Sequence, residues 1–173
     1  MIFSSTKKNR SNELTVIAGC SRLGASIALS LSSDYKDTLV IDKNPAAFRK
    51  LTSYYTGQTL RGNVTDIKRL EEAEINKASV FIALTDDDDT NITSAQIAKK
   101  VFNVPKVMAR IYDEDKKPLL DKSGIETICP SILSESLITK FMEKKNEGLE
   151  NCRTEDSHCR RILKGQVTGP FPP

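Results

Sequence analysis

The chain has 173 residues and a mass of 19.2 kDa, with 38% hydrophobic and 28% charged residues and a net charge of +3 from 26 basic and 23 acidic side chains. Those proportions suit one soluble globular domain. They exclude a disordered chain, and no run approaches the ~18 apolar residues that a membrane span needs. The charge is too even to point to nucleic acid by itself, and much of the excess sits in Lys7, Lys8 and Arg10.

Met1 to Arg10 has no apolar core of signal-peptide length. The four cysteines, Cys20, Cys129, Cys152 and Cys159, are therefore expected as reduced thiols in the cytoplasm. Residues 1–12 read as a flexible basic arm. Residues 13–145 read as the folded domain. From residue 146 the periodicity is lost and the chain ends Gly169-Pro170-Phe171-Pro172-Pro173, which reads as a polar tail with little packed structure.

Leu14 to Gly19 reads as a buried strand. Leu23 to Leu31 follows as a helix, with Leu23, Ile27 and Leu31 at turn spacing beside Ala25 and Ala28. Thr38 to Asp42 is a second strand. Pro45 suits the first turn of a second helix, where its missing N–H costs nothing. Gln58 to Gly62 is a short third strand and Ile67 to Ala73 a short helix. Ser79 to Leu84 is the most apolar strand, followed by a helix over Asp88 to Phe102. Lys106 to Tyr112 is a strand, Pro118 to Lys122 a short helix, Glu126 to Cys129 a last strand, and Ile132 to Lys145 a last helix. Six apolar strands alternating with helices predict an α/β, Rossmann-like parallel sheet covered on both faces, as a single domain. Right-handed crossovers favour the doubly wound order 3-2-1-4-5-6.

The turn after the first strand reads Gly19-Cys20-Ser21-Arg22-Leu23-Gly24, a dinucleotide fingerprint with Ser21 at its second glycine position. The first glycine permits the tight turn and the last permits close helix–strand packing. Ser21 is the smallest substitute that adds a hydroxyl. It can hydrogen-bond a phosphate or crowd it. Asp42 ends the second strand eighteen residues after Gly24, where a carboxylate accepts hydrogen bonds from a ribose 2′-hydroxyl. A carboxylate there repels a 2′-phosphate and favours NAD or an adenosine phosphate over NADP. Lys43 partly offsets that repulsion. The plainer reading makes Gly19 and Gly24 turn residues and Asp42 a solvated strand end.

With these residues in place, the chain resembles the RCK or KTN domains, the N-terminal nucleotide-binding domains of potassium transport regulators typified by the TrkA and KtrA proteins. The likeness runs from about Leu14 to Phe141. It rests on the Gly19–Gly24 loop with Arg22, on Val40-Ile41-Asp42-Lys43-Asn44 and on Gly62-Asn63-Val64-Thr65-Asp66. It rests further on Ala83-Leu84-Thr85 followed by Asp87, Asp88 and Asn91, and on Ala109-Arg110. The family often has glycine where Ser21 stands and aspartate where Asn63 stands.

The resemblance implies a regulatory subunit that senses an adenine nucleotide: NAD(H), ATP, ADP or AMP. Gly19, Cys20, Ser21, Arg22, Leu23 and Gly24 would surround the phosphates. Asp42 would hold the ribose, with Lys43 beside it in the site, Asn63 and Val64 would bracket the adenine, and Thr85 would lie by the pyrophosphate or ribose. Arg22 and Arg110 are the cationic candidates for phosphate charge; their plainer reading is a surface ion pair. The implied partner is a membrane potassium transporter subunit in an uptake or efflux system. The implied location is the cytoplasm, at the inner face of the membrane, with no direct membrane insertion, and neither nucleic acid nor catalysis is implied. The last helix, with Ile132, Leu133, Leu137, Ile138, Phe141 and Met142, would join a homodimer or higher ring; its other reading folds it back on its own sheet.

Two other functions stay open. One is a fragment of an NAD-dependent oxidoreductase, although no Lys, Tyr or His beyond the sixth strand stands in an acid/base setting. The other is an interaction module with a degenerate nucleotide site. Asp86 to Asp89 could take a divalent cation through oxygen ligands, but four carboxylates at a helix start read first as caps. Cys152, His158 and Cys159 match no zinc spacing. Cys20 reads first as a small residue filling a turn, and second as a thiolate at a helix start.

Overall fold

The computed structural model describes residues 13–34 and 36–143. The basic arm at 1–12 and the tail from 146 lie outside the described residues. The chain divides into two compact units, residues 1–134 and 135–173.

The first unit holds six parallel strands: β1 (Leu14–Ala18), β2 (Thr38–Asp42), β3 (Gln58–Arg61), β4 (Ala78–Ala83), β5 (Lys106–Arg110) and β6 (Glu126–Ile128). Their order is β3-β2-β1-β4-β5-β6, the doubly wound order expected from the alternation. The register pairs Ile17 with Val40 on one side and with Ile82 on the other. Val16, Ile17 and Ala18 are all fully buried. Successive side chains of β1 point to opposite faces, so burial of all three requires cover on both sides.

One face carries the larger core. Val16, Ile41, Phe81 and Ala109 pack there with Leu70 of α2 (Ile67–Glu72), with Ile92, Ala95 and Ala98 of α3 (Asp88–Lys100), and with Leu120 of α4 (Pro118–Asp121). The other face is smaller. Ile17, Val40 and Leu84 meet Ala25 and Ala28 of α1 (Arg22–Ser33) and Ala47. The small residues on the inner side of α1 let the helix lie close to the sheet. Val80, Ile82 and Met108 are only half-buried.

The segment after β2 forms a 3₁₀ turn, Pro45–Lys50, where the sequence suggests a second helix. Asn44 caps it by accepting from Ala46 N–H, and Pro45 takes the first position as expected. Its extension is blocked downstream. Leu51 is extended, and the Tyr55 hydroxyl bonds the carbonyls of Thr38 and Gln58, which ties the following residues to the sheet. Thr52, Tyr54 and Tyr55 are also weak helix formers. The last helix, α5 (Pro130–Glu143), runs across the boundary between the two units. In the second unit it exposes Leu137, Ile138, Phe141 and Met142. Among the described residues, no helix is long and apolar enough to cross a membrane.

Candidate functional site

A doubly wound sheet leaves a crevice beyond the carboxyl ends of its strands where the order reverses, here around β1. A cavity of about 490 Å³ opens there. Its walls come from four strand ends: Gly19 to Ser21 after β1, Asp42 to Asn44 after β2, Gly62 to Thr65 after β3, and Thr85 to Asp87 after β4. A larger cleft of about 900 Å³ lies at the opposite ends of β1 to β3, beside Thr38, Gln58 and Glu72. It lies away from the Gly19–Gly24 loop and the start of α1, and size alone does not make it a ligand site.

The glycine loop is shaped by backbone approach. Gly19 has φ of +104°, and a Cβ on it would stand 2.8 Å from the Thr85 nitrogen. A Cβ on Gly24 would stand 2.1 Å from the Gly19 carbonyl oxygen. Neither position admits a side chain. Ser21 is the N-cap of α1, and its Oγ accepts from Gly24 N–H at 3.2 Å. The serine thus does a helix-capping job that glycine would not. Its hydroxyl proton remains free to be donated into the cavity.

Cys20 is fully buried and held at three points. Its N–H donates to Asp42 Oδ2 at 2.7 Å and its thiol donates to the Ala47 carbonyl at 3.3 Å. Its carbonyl accepts from Lys50 Nζ at 3.0 Å. Burial, then the negative charge of Asp42, pushes the thiol pKa up, against a smaller lowering by Lys50. The residue is therefore a neutral thiol packed in a turn, the first of the two readings offered by the sequence. Asp42 Oδ1 accepts from Asn44 N–H at 2.8 Å. A carboxylate has about four lone-pair sites, so Asp42 retains acceptor capacity for ribose hydroxyls.

Across the cavity, Asn91 organises the β4 loop. It is fully buried. Its Oδ1 accepts from Thr85 N–H at 2.8 Å and from Thr85 Oγ1 at 2.7 Å. Its Nδ2 donates to the carbonyls of Thr85 and Arg110 at 3.0 and 2.9 Å. Arg110 is only 5% exposed. Its Nη2 donates to the carbonyls of Leu84 and Thr85 and to Asp86, and its guanidinium stacks 4.9 Å over the Tyr112 ring. Among the described residues, its Nε has no hydrogen-bond partner.

The four aspartates have separate tasks. Asp86 pairs with Arg110, Asp87 caps α3 by accepting from Thr90 N–H, Asp88 accepts from Tyr112 and Asp113 N–H, and Asp89 pairs with Lys116. The hydrogen bonds from Thr90 hold the Asp87 carboxyl below its ordinary pKa. These are capping and pairing roles, and they do not converge on one point.

Of the residues expected at the site, Gly19, Cys20, Ser21, Asp42, Lys43, Asn63, Val64 and Thr85 line the cavity. Gly24 packs beneath the loop. Arg22 and Leu23 are exposed on the first turn of α1 and do not line the cavity, and Arg110 lies behind the β4 loop. Asn44, Thr65 and Asp87, quoted in the motifs, and Asp86 of the aspartate run also line it, though no nucleotide contact is expected of them from the sequence, and Lys50 and Thr90 line it without having been singled out. Lys50 carried no signal, since eight residues separate it from Asp42. Asn91 carried one: a polar residue at the buried spacing of α3.

The model of the TrkA-N domain matches residues 15–130. The chain belongs to the TrkA-N family. Among curated TrkA-N relatives, the Trk system potassium uptake protein TrkA of Streptomyces coelicolor is 37% identical over 113 residues, covering 65% of this chain and 51% of its own. The Trk system potassium uptake protein TrkA homolog of Methanothermobacter thermautotrophicus is 33% identical over 129 residues, covering 75% of this chain and 58% of its own. The chain thus spans about half the length of these relatives. Two solved structures share the TrkA-N fold. The Shewanella denitrificans Kef CTD in AMP-bound form matches with a TM-score of 0.64 at 18% identity, covering 79% of this chain and 84% of that one. The GsuK channel bound to NAD matches with a TM-score of 0.66 at 23% identity, covering 78% and 24%.

Proposed function

We propose that this TrkA-N domain is a regulatory subunit of a potassium transport system that binds an adenine nucleotide: NAD(H), ATP, ADP or AMP. One observation carries the reading. Asp42 stands at the end of β2 with spare acceptor capacity, in the same cavity as the Gly19–Gly24 loop, whose two glycines admit no side chain. That combination suits a ribose beside a phosphate. The AMP-bound and NAD-bound structures of the same fold, and relatives named for potassium uptake, support it. Asn63 and Val64 flank the adenine in this reading, and Thr85 faces the phosphates. No chemistry is required: a nucleotide biases one subunit arrangement over another by its difference in affinity for the two.

The arrangement itself is proposed as a homodimer or ring built on α5. Its exposed apolar residues, 51–72% accessible from Leu133 to Phe141, suit a protein interface better than water. The domain then acts in the cytoplasm on a membrane transporter subunit.

The test is a titration of the purified chain with AMP, ADP, ATP, NAD, NADH and NADP, followed by calorimetry and thermal shift. A ligand that binds only the folded state raises the midpoint by mass action. Asp42→Ala is expected to weaken the adenosine ligands by roughly 1–3 kcal/mol, the worth of a hydrogen bond to a charged group. If none of the six binds at millimolar concentration, the nucleotide reading fails and an interaction module takes its place.

A further inference from the structure

We propose that Lys50 is the residue that meets phosphate charge in this cavity, so that the site selects phosphorylated adenine nucleotides over the bare nucleoside. The inference rests on the nucleotide reading above and assigns its charge selectivity to one side chain.

An anionic ligand needs a cation that faces it and is not already spent. Arg22 does not line the cavity. Arg110 does not line the cavity; it is buried behind the β4 loop, with its Nη2 donating to two carbonyls and to Asp86. The lining cations are Lys43 and Lys50. Lys43 follows Asp42 directly at the strand end; its charge acts on Asp87, and among the described residues no hydrogen bond draws it over the loop. Lys50 is drawn over it: the 3₁₀ turn projects its ammonium to 3.0 Å from the Cys20 carbonyl, within the glycine loop.

That ammonium is available. An ammonium has three donors, and the Cys20 carbonyl takes one. Among the described residues the ion pairs are Arg69–Glu72, Lys77–Glu74, Arg110–Asp86 and Lys116–Asp89, and Lys50 belongs to none of them. Asp42 and Lys50 also hold the two backbone groups of a single residue, the first on Cys20 N–H and the second on its carbonyl. The Lys50 ammonium thus stands one residue's backbone away from the carboxylate assigned to the ribose, on the glycine loop assigned to the phosphates. The other lining carboxylates do not cancel this cation, since Asp86 faces Arg110 and Asp87 faces the first turn of α3.

The experiment titrates the full chain and its Lys50→Met and Lys50→Arg variants with adenosine, AMP and ADP by calorimetry, adenosine being read by displacement of AMP. Lys50 is exposed on its turn, and unchanged melting without ligand verifies that each variant folds. Loss of a charge-assisted hydrogen bond is expected to weaken ADP about tenfold or more in Lys50→Met. Adenosine should stay within about twofold, and Lys50→Arg should keep the preference for ADP. ADP affinity unchanged in Lys50→Met overturns the proposal while leaving the nucleotide reading intact. An equal loss for adenosine and ADP also overturns it, because Lys50 is then only a latch on the loop. A wild-type chain that binds neither AMP nor ADP overturns both.

Discussion

Replacing Asn91 with alanine is expected to unfold much of what shapes the cavity, and the cost can be worked from its partners. The side chain makes four hydrogen bonds from a fully buried position. Two of the partners have alternatives: Thr85 Oγ1 also donates to the Asp87 carbonyl, and the Thr85 carbonyl keeps Arg110 Nη2 at 2.6 Å. The Thr85 N–H has none, and the Arg110 carbonyl loses its side-chain donor. A buried polar group left unsatisfied costs about 1–3 kcal/mol, so with two of them the substitution should cost roughly 2–6 kcal/mol. Domains of this size are stable by only about 5–15 kcal/mol. Urea unfolding monitored by circular dichroism reads the loss as a lower midpoint at unchanged slope. Ser94→Ala is the control: it is equally buried, but its hydroxyl only donates back to the Asn91 carbonyl within α3, so less than about 1 kcal/mol is expected. A loss below about 1 kcal/mol in Asn91→Ala, or equal losses in the two variants, would refute this account of the β4 loop.

Gly24→Ala should destabilise the fold by at least about 1–3 kcal/mol, because its Cβ would meet the Gly19 carbonyl at 2.1 Å; a thermal melt within a degree of wild type would contradict that packing. Stability should fall as pH rises above the ordinary thiol pKa of 9.0, since the unfolded chain gives up the Cys20 proton there while the folded chain keeps it. Urea midpoints measured across alkaline pH should flatten in Cys20→Ala, and an unchanged slope would count against the buried thiol. Leu137→Asp with Phe141→Asp should convert a dimer into a monomer in analytical ultracentrifugation. A wild-type chain already monomeric at micromolar concentration would remove α5 from the proposed interface.

The strand order was legible because both of its causes are local or general. Apolar runs mark buried strands, and the right hand of each crossover leaves few ways to wind them. Gly19, Gly24 and Asp42 were legible for a related reason: tight turns and strand ends restrict which residue types fit, and the restriction shows at fixed spacing. The 3₁₀ turn after β2 was not, because a hydroxyl on Tyr55, itself bound to the strand starts, decides where that segment stops.

The division between sequence and tertiary structure is clearest among the cations. The sequence by itself determined the family, the fold and the acid at the end of β2, since each depends on patterns within a few turns of chain. The family resemblance offered Arg22 and Arg110 as candidates for phosphate charge. Only the fold decided that the Arg110 Nη2 bonds the β4 loop and that Lys50 reaches across thirty residues to the Cys20 carbonyl. Which cation faces a cavity depends on how side chains from distant elements pack and hydrogen-bond, and no periodicity in the chain records that.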